Sequence, residues 1–262
     1  MYWVWFGICE RVMLDVSLLV LIGVAPFVGS FLGMLVIRLP LGRPVGWARS
    51  QCDHCGHKLG VRDLFPVVSW LWLRGRCRYC GASIGSLPLA MEIGALLIAV
   101  WAATETTGWI LVATCALGWA LLALAVIDWR TFLLPDALTL PLIPSGLLVA
   151  YLIVPSSLLD HVIAAAVGLL GAIMLTFVYR WLRGRDGLGL GDAKLLAGLG
   201  AWVGLAGLPT TLLFAATLGM VFVLVAALSG RRLALSDKIP LGTFLAAGGW
   251  LVWLYGPLVP AI

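Results

Sequence analysis

Eight long apolar runs parted by short polar segments set the pattern of this chain: 14–37, 88–107, 109–127, 138–154, 159–179, 193–207, 210–229 and 240–258. They lack the strict alternation of half-buried strands, and most are long enough to cross the roughly 30 Å hydrocarbon layer of a bilayer as helices. Their ends carry helix punctuation. Pro40 discourages continuation of the first run, Asp136 and Thr139 read as the cap that starts the fourth, and Asp192 stands where an N-cap belongs ahead of 193–207. That run covers only about 22 Å at 1.5 Å per residue, so the stretch leading into it is expected to dip below the headgroups. The first run lacks a clear basic start and a small-residue cleavage site, and it continues to Ile37, so it reads as a retained span. The expected architecture is an all-α polytopic membrane protein of about eight transmembrane helices. A first segment and span occupy 1–37, a loop 38–87, and a membrane-embedded part with about seven helices 88–262.

Composition agrees, with 62% hydrophobic and 11% charged residues. Of the 17 Lys and Arg, 16 fall in 38–87, 128–135, 180–194 and 230–239, which an eight-span chain puts on one side; only Arg11 falls on the other. By the positive-inside rule that side is cytoplasmic and both termini lie outside. The net charge of +5 therefore needs no nucleic acid to explain it.

The loop is the only sizeable soluble segment, and it is too small to bury much of a core. It carries Cys52-Asp53-His54-Cys55 and Cys77-Arg78-Tyr79-Cys80, two Cys-x-x-Cys knuckles separated by 21 residues. Four thiolates at such spacing suit a tetrahedral structural zinc, and on a cytoplasmic face metal bonds account for them better than disulfides. Gly56 and Gly81, each just after a second cysteine, suit the knuckle turns. His54 and His57 stand beside this site. Between the knuckles Phe65-Pro66-Val67-Val68-Ser69-Trp70-Leu71-Trp72-Leu73 is apolar and aromatic, fitting either the membrane surface or a small core around the metal. Arg38 can anchor at headgroups, and Glu92, about one turn into the next span, reads as a dipole-favoured residue or a functional acid.

Two other acids stand out. Asp128 ends the run 109–127, and Asp192 follows Gly187, Gly189 and Gly191. Acids beside lipid are costly and read as functional by default. One sits at the negative end of its expected helix and the other at the positive end of its own, so the pair experiences opposite fields, as acid–base work requires. The glycines let another backbone come close. Lys194 can hold the charge of this pair, meet an acidic group or anchor at the interface.

Asp128 in Ile-Asp-x5-Leu-Pro-Asp-x-Leu-Thr-Leu-Pro and Asp192 in Gly-x-Gly-Asp-x-Lys-Leu-Leu resemble the type IV prepilin peptidases, bacterial membrane aspartyl proteases. Gly29-Ser30-Phe31-Leu32, Ile37-Arg38-Leu39-Pro40, the knuckles and Ile239-Pro240-Leu241-Gly242-Thr243-Phe244-Leu245-Ala246 are similar to that family as well. The resemblance implies an inner-membrane enzyme that cleaves leaders from prepilins or pseudopilins, for pili or secretion. Asp128 and Asp192 would be catalytic at the cytoplasmic face, with Gly189, Gly191 and Lys194 on the substrate's approach. Many members also methylate the new amino terminus with S-adenosylmethionine, which here would bind near Arg38 and Glu92. The chain departs from the family pattern at Gly33, Asp53 and the segment before Glu92, all within the part expected to serve methyl transfer. Peptidase activity alone is therefore the alternative. A secondary transporter would want its acids near midplane, and a non-catalytic assembly protein would not need the acid pair.

Overall fold

The computed structural model describes residues 2–45, 50–52, 54–184, 189–230 and 239–258. Among them the regular structure is helical, with two isolated antiparallel bridges, Gln51 to Lys58 and Arg76 to Ser83. The helices are α1 (Tyr2–Arg38), α2 (Val68–Trp72), α3 (Leu87–Glu105), α4 (Gly108–Thr131), α5 (Asp136–Ile153), α6 (Leu158–Arg183), α7 (Leu190–Leu228) and α8 (Leu241–Tyr255). Six described helical segments are long and apolar enough to cross a membrane, and α8 is apolar with 15 residues. Outward-facing Leu170, Met174, Phe177 and Met220 are each more than 60% exposed, as lipid-facing residues would be. The chain divides into two compact units, Met1–Ala123 and Leu124–Ile262.

In the first unit α1 starts at Tyr2, well before the apolar run expected from position 14. It packs along α3 at Gly29, where a Cβ would lie 2.5 Å from the Glu92 Cα and the Met91 carbonyl oxygen. Trp119 of α4 donates its indole N–H to the Ala95 carbonyl of α3 at 3.0 Å.

The second unit is built around α7, which packs on α5, α6 and α8. Its 39 residues are not one rod, because Gly204 has φ 71 and ψ −179. Residues 190–203 run with α8: Leu199 fills the space beside Gly249, and Asp192 neighbours Asp128, which touches Gly242. Residues 205–228 run against α8, with Gly248 over Thr211 and Gly219 over Phe244. The two arms are therefore antiparallel, and the chain reverses at one residue. Reversal breaks the bond between the Ala201 carbonyl and the Leu205 N–H. Two adjacent α6 side chains replace it: His161 Nδ1 donates to the Ala201 oxygen at 3.0 Å, and the Leu205 N–H donates to Asp160 Oδ2 at 2.9 Å. With its arms counted separately, the eight apolar runs of the sequence reappear as helical segments among the described residues.

Elsewhere in this unit helices meet through missing side chains. A Cβ at Gly200 would stand 2.6 Å from the Ala164 carbonyl, one at Gly168 2.7 Å from that of Leu196, and one at Gly146 2.8 Å from the Ala201 carbonyl carbon. Small residues at such crossings let backbones touch, which is how helices associate when lipid offers no hydrophobic drive.

Candidate active site and metal centre

The two knuckles have the same backbone. In the first, Cys52 N–H donates to His57 O and Gly56 N–H returns to Cys52 O; in the second, Cys77 N–H donates to Ala82 O and Gly81 N–H returns to Cys77 O. Gly56 and Gly81 take φ of 68 and 70, the left-handed region these turns require. Asp53 lies outside the described residues. The four Sγ atoms all lie within 4.8 Å of one another, with Cys52 and Cys80 at 3.8 Å. A tetrahedron with metal–sulfur bonds of about 2.3 Å has edges of about 3.8 Å, so the thiols fit a four-coordinate zinc and leave no open position. Backbone N–H groups of Cys55 and His54 pull Cys52 down to about 6. Cys80, despite the Ala82 N–H, is pushed up to about 12 by burial and the neighbouring thiols. His57 stacks on Tyr79 with ring centroids 3.6 Å apart.

Asp63 ties the segment between the knuckles to the second one. It accepts Arg78 Nε at 2.8 Å, the Gly60 N–H at 3.1 Å and the Tyr79 hydroxyl at 3.3 Å. Although burial opposes it, these partners hold its carboxyl below the ordinary range.

A cleft of about 370 Å³ opens in this unit, lined among others by Arg38, Arg43, Asp63, Trp70, Arg78 and Glu92. Trp70 donates its indole N–H to Gly85 O at 2.8 Å, whereas Trp72 is 82% exposed. Arg38 Nη1 donates to Pro44 O at 3.4 Å. Glu92 corrects a sequence expectation. It is the sixth residue of α3, not a first-turn residue, and it is only 5% exposed. Its Oε2 accepts the Val67 N–H at 2.7 Å, so the residue fastens the loop to the helix.

In the second unit Asp128, 4% exposed, lies in the last turn of α4. Its Oδ2 accepts the Thr243 N–H at 2.8 Å and lies 3.3 Å from Thr243 Oγ1, which also donates to Ala125 O at 2.9 Å. Gly242 makes the approach feasible, since a Cβ there would sit 3.1 Å from the carboxyl carbon. Asp192 is half-buried and close enough to Asp128 for the two charges to interact. It is not an N-cap. The helix begins at Leu190 with Gly189 as cap, and Asp192 reaches back from the third position to accept the Gly189 N–H at 3.3 Å. Gly191 lets the start of α7 lie on Leu134, whose Cβ is 2.8 Å from where its own would be. Gly187 and Leu188 lie outside the described residues. Lys194 Nζ pairs with Asp136 Oδ1 at 2.6 Å, joining the starts of α7 and α5. Asp136 opens α5 after Pro135, and Thr139 donates back to the Pro135 carbonyl at 3.3 Å. The sequence offered little to single out Thr243: its signal was only a hydroxyl residue after Pro240-Leu241-Gly242, 115 positions from its partner.

Such an arrangement brings together two carboxylates from different helices, held by backbone N–H groups, as hydrolysis by an acid–base pair requires. Two family models match the chain, "Bacterial Peptidase A24 N-terminal domain" over residues 23–106 and "Type IV leader peptidase family" over 115–224. The chain is 39% identical to the prepilin leader peptidase/N-methyltransferase of Aeromonas salmonicida (strain A449), covering 87% of each. It is 41% identical to the protein of that name from Dichelobacter nodosus, over 79% of this chain and 71% of the relative. No solved structure matches. The chain belongs to the type IV leader peptidase family.

Proposed function

We propose that the chain is a multi-pass inner-membrane aspartic peptidase that removes leaders from prepilins or pseudopilins at the cytoplasmic face, and that it then methylates the new amino terminus. The observation that carries the first activity is the Asp128–Asp192 pair, interacting at the ends of separate helices and steadied by Thr243 and Gly189. One carboxylate, ionised, takes a proton from water as its oxygen attacks the scissile carbonyl. The other, protonated, donates to the carbonyl oxygen. The tetrahedral intermediate collapses as the leaving nitrogen receives a proton from the first carboxyl and the second carboxylate takes one back from a hydroxyl of the intermediate. The two act as one titrating pair. Cleavage of a prepilin peptide by purified protein, read by mass and lost in Asp128→Asn, tests this; undiminished cleavage by that variant overturns it.

For the second activity, the cleft has a volume suited to a small cofactor and the right mixture of groups. Arg38 and Arg43 suit the carboxylate of S-adenosylmethionine, Glu92 its cationic end and Trp70 a flat base. When bound, that cofactor supplies an electrophilic methyl group. The four cysteines would hold a structural zinc that shapes the loop around this cleft. Labelled S-adenosylmethionine tests the reading: label on the mature amino terminus supports it, and complete cleavage without label makes the chain a peptidase only.

The basic loops are placed in the cytoplasm by the positive-inside rule, giving eight crossings with both termini outside. The antiparallel arms of α7 support this count. Leu134, Gly191 and Gly242 meet at the Asp128 end of their unit.

A further inference from the structure

The segment between the two cysteine knuckles does not sit at the level where a cytoplasmic loop belongs. The ring of Phe65 meets that of Phe27 edge-on, with centroids 5.7 Å apart. Phe27 lies eleven residues before Arg38, about 16 Å along α1. It stands in the middle of the uncharged stretch 16–37, and about 16 Å is half the thickness of a bilayer's hydrocarbon core. A second contact also lies below the headgroups, about 8 Å along α3 and about 13 Å along α1. Val67 N–H is bonded to Glu92, whose backbone packs on Gly29, nine residues before Arg38.

Backbone at that depth has no water to satisfy it and must find its partners in protein. Here it does. Val67 N–H goes to Glu92, Val68 to Pro66 O, Ser69 to Phe65 O, Leu71 to Val67 O and Leu73 to Ser69 O. Val67 pays for its bond with φ 61, a left-handed conformation unfavourable for a β-branched residue. The side chains divide by face. Ser69, Trp70 and Leu73 line the cleft, while Phe65, Val68, Leu71 and Trp72 are between 51% and 82% exposed. That outer face continues the exposed apolar surface of α1 at Phe27 and Phe31.

We propose that residues 65–73 form a re-entrant wedge whose Phe65, Val68, Leu71 and Trp72 lie among lipid acyl chains, walling the polar cleft off from the bilayer. The proposal rests on the reading of the chain as an inner-membrane protein, and it commits to bilayer hydrocarbon as the occupant of this face. Glu92 is then a buried acceptor that lets non-helical backbone enter at that depth, and the exposed aromatic residues are matched to their surroundings.

The test places a fluorescent amino acid at position 72, and separately at 65, in the full chain reconstituted into phosphatidylcholine–phosphatidylglycerol vesicles. A control chain carries it at Lys58 on the first knuckle. Quenching is measured with lipids bearing a nitroxide midway along the acyl chain and with aqueous iodide. The wedge predicts acyl-chain quenching severalfold stronger than iodide quenching at 72 and 65, with the reverse at 58. Stronger iodide quenching at 72 and 65 overturns it. Protection from both quenchers also overturns it, because protein, such as a second copy or a substrate helix, would then cover the face. Prepilin cleavage is assayed in the same vesicles. Cleavage with iodide-quenched labels defeats the wedge alone, and acyl-quenched labels without cleavage defeat the peptidase reading alone.

Discussion

In the unit of residues 1–123 the cleft is walled by a loop, and polar ties fix that loop in place. Glu92 holds Val67, Asp63 holds Arg78, Trp70 holds Gly85, and four thiols converge on one point. In the unit of residues 124–262 the aspartates sit on long helices, and the helices are fixed by backbones in contact at Gly146, Gly168, Gly200 and Gly248. The difference follows from length and setting. A loop of about fifty residues buries too little apolar area to hold a shape and needs staples. Helices in lipid gain nothing from hiding apolar surface and rely on close packing. Binding a cofactor tolerates a stapled loop, whereas a proton-transferring pair needs the stiffer frame.

The largest expected effect breaks the second unit's chemistry without its frame. Asp128→Asn or Asp192→Asn should lower cleavage by about 10³-fold or more with the melting temperature nearly unchanged, because an amide keeps the shape but cannot exchange the proton. Near wild-type turnover by either variant removes the pair from the mechanism. Next comes the frame itself. Gly200→Val, driven against the Ala164 carbonyl, should cost several kcal/mol, at or above the usual range of about 1–3 kcal/mol for overpacking. In the first unit Gly33→Ala meets its nearest atoms at 3.7 Å and should be neutral or stabilising by up to about 1 kcal/mol. Equal losses in a thermal-melt comparison would show that closeness of approach does not set the cost at these two glycines.

Metal analysis sharpens the other side. One zinc per chain is expected, lost when Cys52 and Cys77 become serine. The loop should then become protease-sensitive while prepilin cleavage persists. Loss of cleavage in step with zinc would show that the units are not independent. A smaller effect is expected from Thr243→Val, which removes the hydroxyl but keeps the N–H bond to Asp128. At about 1 kcal/mol, cleavage should fall about fivefold with substrate affinity unchanged. The smallest concerns pH. The depressed Asp63 carboxyl contributes stability that is present above its ordinary range and lost as pH falls through its lowered value. Asp63→Asn should flatten the acid limb of loop unfolding, followed by hydrogen exchange; an unchanged limb would assign that dependence elsewhere.

The apolar runs gave the helices because length and hydropathy are local, and the cysteine spacing gave the knuckles because each is a local turn. The aspartates were legible as costly charges beside lipid. What escaped was long-range. Thr243 meets Asp128 across 115 positions, Lys194 pairs with Asp136 across 58, and Glu92 reaches Val67 across 25. The cap of α7 was displaced by three residues because Asp192 bonds backward to Gly189, a geometry that shares its residue types with a true N-cap.

The reversal at Gly204 bears on how the chain enters a membrane. As one uninterrupted helix, residues 190–228 would be about 58 Å long, nearly twice the hydrocarbon thickness. The eight-crossing reading puts this turn at the outer surface of the membrane, where only water can serve the Ala201 carbonyl and the Leu205 N–H until α6 is alongside. Asp160 and His161, which precede Gly204 by some forty residues in the chain, replace that water and so hold the reversed form. One helix thus fixes the turn of another that follows it in the chain.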